Sequence, residues 1–227
     1  MRKELAFALK TTIPVACGYI FLGMAFGILL SNAGYGLVWA LLSSVFVYAG
    51  SMQFVMVALL ASAAPLLAVA VTTFLVNARH IFYGLGFIER FRKMGAKFPY
   101  MVLSLTDETY SVLCSVQYPA GLSEDRCALF ISLFDQLYWV LGSVLGAAAG
   151  QLIPFDMTGV DFAMTALFVV IFVDQWKQYP SHIPAVTGAV CAAASLLLFG
   201  PANFLPIALA AAVGVLIALR GKLEGNA

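Results

Sequence analysis

Six ionisable side chains interrupt otherwise apolar stretches of this chain: Arg79, His80, Asp107, Glu108, Asp135 and Asp174. A charge at the depth of a hydrocarbon layer is costly, so it persists where it pairs internally or handles an ion or a polar substrate. Arg79 has two carboxyl partners within reach of such a pairing, Asp107 and Glu108, and it can neutralise only one. Adjacent residues on a helix point about 100° apart, so one carboxyl can pair while the other faces water. A carboxyl held at that depth is a ready proton carrier. Asp107 and Glu108 are therefore the first proton-coupling candidates, with Asp135 next. His80, beside Arg79, is expected to stay neutral and bond locally. His182, between Pro180 and Pro184, reads as a loop residue.

A second chemical signal lies in Val47-Tyr48-Ala49-Gly50-Ser51-Met52-Gln53-Phe54. A hydroxyl, a Gly-Ser pair and a carboxamide occupy the centre of an apolar run from Leu37 to Leu60. Gly50 allows the backbone to turn without a Cβ penalty. An opened turn bares N–H and C=O groups, which a membrane tolerates only against protein or a wet cavity. Interrupted segments of this kind mark binding sites in transporters; the alternative is one ordinary span with small residues packed on a neighbour. A half-helix starting near Ser51 would offer free N–H groups and a dipole to a carboxylate, with Arg79 as the competing anion site. Asp107, Glu108 or Asp135 would hold an ammonium. Tyr48, Gly50, Ser51, Gln53, Asn77 and Arg79 are thus the substrate-binding candidates, and Asp174-Gln175 is a candidate second break.

The elements that must position these residues follow from composition. Of 227 residues, 63% are hydrophobic and 10% charged, with a net charge of +1. Soluble domains carry about 25% charged residues. Each helical crossing takes about 20 apolar residues, so the chain reads as an all-α polytopic membrane protein forming a single transmembrane domain. About six full spans and two interrupted or re-entrant segments fit its length. The basic residues sit in short loops, so nothing points to nucleic acid. Cys17, Cys114, Cys127 and Cys191 are scattered and form no CxxC, which predicts neither disulfide nor metal site. The run Ile13 to Leu30 reads as a retained first helix rather than a cleaved signal.

Topology follows from charge. Arg2, Lys3 and Lys10, and then the loop Glu89 to Lys97, should both be cytoplasmic, as should the C-terminal end with Arg220 and Lys222. Three apolar segments, 13–30, 37–62 and 66–88, separate the first two clusters. Both clusters are cytoplasmic only if the middle segment re-enters, turning at Ala49-Gly50-Ser51; otherwise it spans and one cluster lies outside. Tyr100 to Val116 reads as a further apolar segment, and Tyr118 to Arg126 as an external turn. Leu22-Gly23-x-x-x-Gly27 and Leu141-Gly142-x-x-x-Gly146 each precede a loop, a 12-residue apolar limb and a polar break, which suggests an inverted repeat. Its halves would be residues 1–98 and 127–227, joined by a helix and external loop over 99–126.

Three ordered motifs carry a resemblance. Tyr48-Ala49-Gly50-Ser51-x-Gln53-Phe54, then Asn77-Ala78-Arg79-His80-x-x-Tyr83, then Leu105-Thr106-Asp107-Glu108 resemble the AzlC family over nearly the whole chain. The resemblance implies the large subunit of a two-component exporter of branched-chain amino acids in a bacterial inner membrane, with a small AzlD-type membrane partner. It also implies efflux of leucine, isoleucine, valine or analogues, driven by protons, and no cofactor. The competing readings are a channel-like or structural subunit and, more remotely, an intramembrane enzyme. Neither an HExxH metal motif nor a P-loop is present, and no ring of like charge suggests a channel.

Overall fold

The computed structural model describes residues 1–152, 181–200 and 204–224, together with positions 169, 172, 173, 176 and 177; the side chains of Arg79, Phe82 and Tyr83 and several in the last helix lie outside that description. Every regular element among the described residues is helical. The chain divides into two compact units, residues 1–62 with 77–164, and residues 63–76 with 165–227.

The first unit is built on two long helices, α1 (Arg2–Asn32) and α7 (Glu124–Leu152). Both are long and apolar enough to cross a membrane, at about 46 and 43 Å. They run parallel. Arg126 Nη1 lies 3.9 Å from Glu4 Oε1 at their first turns, and Thr12 Oγ1 is 3.2 Å from the Tyr138 hydroxyl further along. At their last turns a methyl placed on Gly150 would meet Ser31 Cβ at 3.0 Å. The approach is possible because glycines face backbone. A Cβ on Gly23 would lie 2.9 Å from the Trp139 carbonyl oxygen, and one on Gly27 or Gly146 would overlap the opposing backbone outright. The two small-residue stripes are therefore spent on each other. Small residues at four-residue spacing make this contact in lipid, where apolar burial between helices contributes little.

Two hairpins of short helices enter this pair from opposite ends. The first is α2 (Leu37–Phe46) and α3 (Gly50–Ala61). It starts at Gly36, beside Gln151 near the end of α7, and reaches the Gln136 level, where Gln136 Nε2 donates to the Val45 carbonyl at 3.0 Å. The chain then folds back. Gln53 lies against Ser43 and Ser44, at 3.5 and 3.4 Å, and Phe54 returns to the level of Phe26, with ring centroids 6.0 Å apart. The backbone reversal puts Tyr48 at φ 40°, a conformation a bulky residue holds only under constraint. The run is interrupted and the chain reverses, but the break falls at Val47 to Ala49: Gly50 and Ser51, expected in the turn at Ala49-Gly50-Ser51, instead open α3.

The second hairpin is α5 (Phe98–Leu103) and α6 (Asp107–Ser115). At six and nine residues they extend about 9 and 14 Å, too short to span. This corrects the reading of Tyr100 to Val116 as one segment. Ser104-Leu105-Thr106 breaks it because Thr106 is an N-cap: its side chain accepts from the Thr109 N–H at 3.3 Å, so a new helix begins there. Leu105, Met101 and Leu113 pack with Ala8, Ala128 and Ile131 and with Phe87 and Phe91 of α4 (Leu66–Arg92). A single 3₁₀ turn, Gly95–Lys97, links α4 to α5.

A further expectation is corrected. Arg90 Nη2 lies 3.7 Å from Glu124 Oε2 and its guanidinium 5.1 Å over the Tyr118 ring, whose other neighbour is Phe7 at 6.3 Å. With the Glu4–Arg126 pair, this puts residues 118–126 at the same end of the unit as the N-terminus and the 89–97 loop, not at the opposite face. A re-entrant α5–α6 returns the chain to the side it left, which a full span would not. α1 and α7, which carry the two Leu-Gly-x-x-x-Gly copies, run parallel, and most of the segment that follows the second copy lies outside the described residues.

In the second unit, α8 (Ile183–Phe199) packs on α9 (Phe204–Glu224). His182 is the N-cap residue of α8 and its ring stacks on Trp176 at 3.9 Å between centroids. The limb 162–173 and the predicted break at Asp174-Gln175 lie outside the described residues, apart from isolated helical positions.

Candidate functional site

The tips of the two hairpins meet between α1 and α7, near the middle of both helices. From α6, Glu108 Oε2 accepts from the Tyr19 hydroxyl of α1 at 2.7 Å. That same hydroxyl lies 2.7 Å from Thr106 Oγ1. Thr106 Oγ1 is 3.1 Å from Thr109 Oγ1, and Thr109 Oγ1 donates to Asp135 Oδ2 of α7 at 2.8 Å. Two carboxyl groups are thus joined through three hydroxyls. Asp135 and Thr109 are fully buried, whereas Glu108 is partly exposed.

One turn beyond Asp135 stands Trp139, 2% exposed. Its indole N–H donates to Gln53 Oε1 at 2.9 Å, so the first hairpin is anchored to α7 through a buried bond. Tyr19 meets the Trp139 ring edge-on at 5.4 Å, and Phe26 stacks on it at 6.2 Å. Gly50 lies flat against this ring: a Cβ there would be 3.3 Å from the indole. On the other side of Asp135, Tyr100 donates to Gln136 Oε1 at 2.9 Å.

Three open valences remain. Asp135 Oδ1, the Tyr48 hydroxyl and Ser132 Oγ are buried without a hydrogen-bond partner. Among the described residues Asp135 has no ion pair, and an unpaired charge with an idle oxygen is expensive at full burial. Tyr48 adjoins the start of α3, which has no side-chain cap and whose first N–H groups have no partner within the helix.

Of the predicted residues, Tyr48, Gly50, Gln53, Glu108 and Asp135 come together here, and Ser51 is buried in the first turn of α3. Asp107 sits beside Glu108, half-buried in the first turn of α6. Asn77 lies on α4, about 20 Å along the helix from Arg90, with its side-chain oxygen buried and unpartnered. His80 bonds locally, its Nδ1 3.2 Å from the Asn77 carbonyl oxygen. The Arg79 side chain and Asp174-Gln175 lie outside the described residues. Sequence reasoning missed Tyr19, Thr106, Thr109 and Trp139. Thr106 after an apolar limb, followed at once by Asp107 and Glu108, was a readable N-cap signal, and Trp139 stands four residues from Asp135, on the same helical face.

The described residues thus form an all-helical structure with two helices long and apolar enough to cross a membrane, and half-helices meet near the middle of both with two carboxyl groups between them. A family model described as AzlC protein matches residues 14–153. The chain is 38% identical to the branched-chain amino acid transport protein AzlC of Bacillus subtilis, over 96% of this chain and 85% of that one. It is 41% identical to an uncharacterized membrane protein of Helicobacter pylori, over 96% and 95%. It is 29% identical to the inner membrane protein YgaZ of Escherichia coli, over 92% and 87%. No solved structure matches. The chain belongs to the AzlC family.

Proposed function

We propose that this protein is the large subunit of a secondary transporter that exports branched-chain amino acids across the bacterial inner membrane, driven by protons and acting with a small AzlD-type subunit. The observation that carries this reading is the meeting of two re-entrant tips at two bridged carboxyl groups, in a chain similar to a protein named for branched-chain amino acid transport. A zwitterion needs an anion site and a cation site close together. The uncapped start of α3, with the idle Tyr48 hydroxyl beside it, suits the substrate carboxylate. Glu108, with Asp107 next to it, suits the ammonium. The aliphatic side chain needs only apolar surroundings, which the aromatic cluster at Trp139 begins to supply.

In this arrangement Tyr19, Thr106 and Thr109 bond the two carboxyl groups, while Asp135 Oδ1, the Tyr48 hydroxyl and Ser132 Oγ stay open. Substrate would replace the Tyr19–Glu108 bond with an ammonium–Glu108 bond, so binding and proton movement share a residue. By the positive-inside rule the end bearing Met1 to Lys3 and the 89–97 loop faces the cytoplasm, and the C-terminus with it. Counterflow tests the function. Proteoliposomes holding this chain and its small partner, loaded with unlabelled valine, should accumulate labelled leucine transiently. A channel or structural subunit gives no overshoot, and that result overturns the proposal.

A further inference from the structure

We propose that Glu108, Tyr19, Thr106, Thr109 and Asp135 form a hydrogen-bonded relay that holds one proton shared between its two carboxyl ends; the use of that proton in transport rests on the function proposed above. The inference comes from counting hydrogens. The relay has four oxygen-to-oxygen links, of 2.7, 2.7, 3.1 and 2.8 Å. Its three hydroxyls carry one hydrogen each. With both carboxyls ionised, Tyr19 donates to Glu108 and Thr109 to Asp135, so three hydrogens serve four links and one of the Thr106 links, 2.7 Å to Tyr19 or 3.1 Å to Thr109, is left without a hydrogen. One added proton fills every link. Two added protons put five hydrogens in four links, so one is turned out of the chain.

The valences of each member agree. Thr106 Oγ1 already accepts the Thr109 N–H at 3.3 Å, leaving it one lone pair and one hydrogen for its two links. Tyr19 and Thr109 each have one hydrogen to give and a lone pair to receive. The filled chain therefore has two polarities. In one, Glu108 is protonated and every hydrogen points toward Asp135. In the other, Asp135 is protonated and every hydrogen points toward Glu108. Passage between them moves each hydroxyl hydrogen to its neighbour. A proton leaves one carboxyl, a proton arrives at the other, and no hydroxyl changes its charge.

The two ends differ in a way that gives the relay a direction. Glu108 is partly exposed and Asp135 is fully buried, so the proton enters and leaves at Glu108 and is stored at Asp135. Among the described side chains, Asp107 stands beside Glu108, and Tyr48 and Tyr100 lie toward Asp135. Neither tyrosine is an end of any of the four links.

Infrared spectroscopy of the purified full chain tests this without substrate. The carboxylic-acid carbonyl band of the wild type, minus that of the Glu108→Gln, Asp135→Asn double variant, should correspond to one carboxyl group per chain. Each single variant should abolish the same band completely, because an amide N–H at either end fills the chain and leaves the other end ionised. A difference of two carboxyls, or a band lost in one single variant and retained in the other, overturns the relay. Both amides match the carboxyls in shape, and the wild-type count stands should one variant fold poorly. A failed counterflow experiment would remove the transport reading without touching this result, and independent carboxyls would remove the relay without touching counterflow.

Discussion

Trp139 shows how one side chain ties the site to the scaffold. Its indole N–H and Gln53 are both buried, and each is the other's partner. Gln53→Leu should leave the indole N–H unsatisfied and cost about 1–3 kcal/mol, seen as a lower midpoint in thermal unfolding of the detergent-solubilised chain. An unchanged midpoint would mean that another acceptor takes over. Glu108→Gln should abolish proton-driven leucine efflux while the protein still inserts; efflux at wild-type rate would free Glu108 of any coupling role. Tyr48 is the residue the chain strains to place, at φ 40° with an idle hydroxyl. Its polarity was visible in sequence, but its strain was not, because nothing in Val-Tyr-Ala-Gly says which residue takes the turn. Gly50, two residues on, did not; it opens α3 instead.

Helix contact is decided by glycines that have no alternative. Gly146 faces the Met24 backbone so closely that any side chain must push α1 and α7 apart. Gly146→Val should prevent assembly, read as loss of monodisperse protein on size exclusion. Gly18→Ala, on α1 but away from the seam, with nothing within 4 Å, should behave as wild type. Equal losses in both would show a general intolerance of α1 and α7 rather than a specific seam. The stripe of Gly142, Gly146 and Gly150 was legible as a helix-contact surface, but its partner was not. Spacing describes one face of one helix, and many faces share it. The break at Ser104-Leu105-Thr106 was passed over for a different reason. Hydropathy averages over a window longer than either α5 or α6, so two half-helices and one whole helix look alike.

At the scale of the whole molecule, the first unit places residues 1–4, 90 and 118–126 at one end and 31–36 with 150–152 at the other. In a background lacking the native cysteines, Lys93→Cys and Ser123→Cys should label from the same face of oriented vesicles, and Ala33→Cys from the opposite face. Labelling of positions 93 and 123 from opposite faces would break the two-hairpin arrangement. Charge counting found that the N-terminus and the 89–97 loop share a side. It failed for 118–126, whose Glu124, Asp125 and Arg126 nearly cancel, so the positive-inside rule has little to act on.

Sequence alone pointed to a helical chain that belongs in a membrane, to a polar interruption within residues 37–62, and to carboxyls at 107, 108 and 135 inside apolar stretches; whether 37–62 spans or turns back it left open. Those conclusions follow from the cost of bare polar groups in hydrocarbon, which acts on each segment separately. Only the tertiary structure decided that Tyr19 bridges Thr106 and Glu108, that Asp135 receives Thr109 from a second hairpin, and that α1 and α7 run side by side in the same direction. These are contacts between segments as many as 126 residues apart, and their geometry depends on where each tip stops, which no local pattern records.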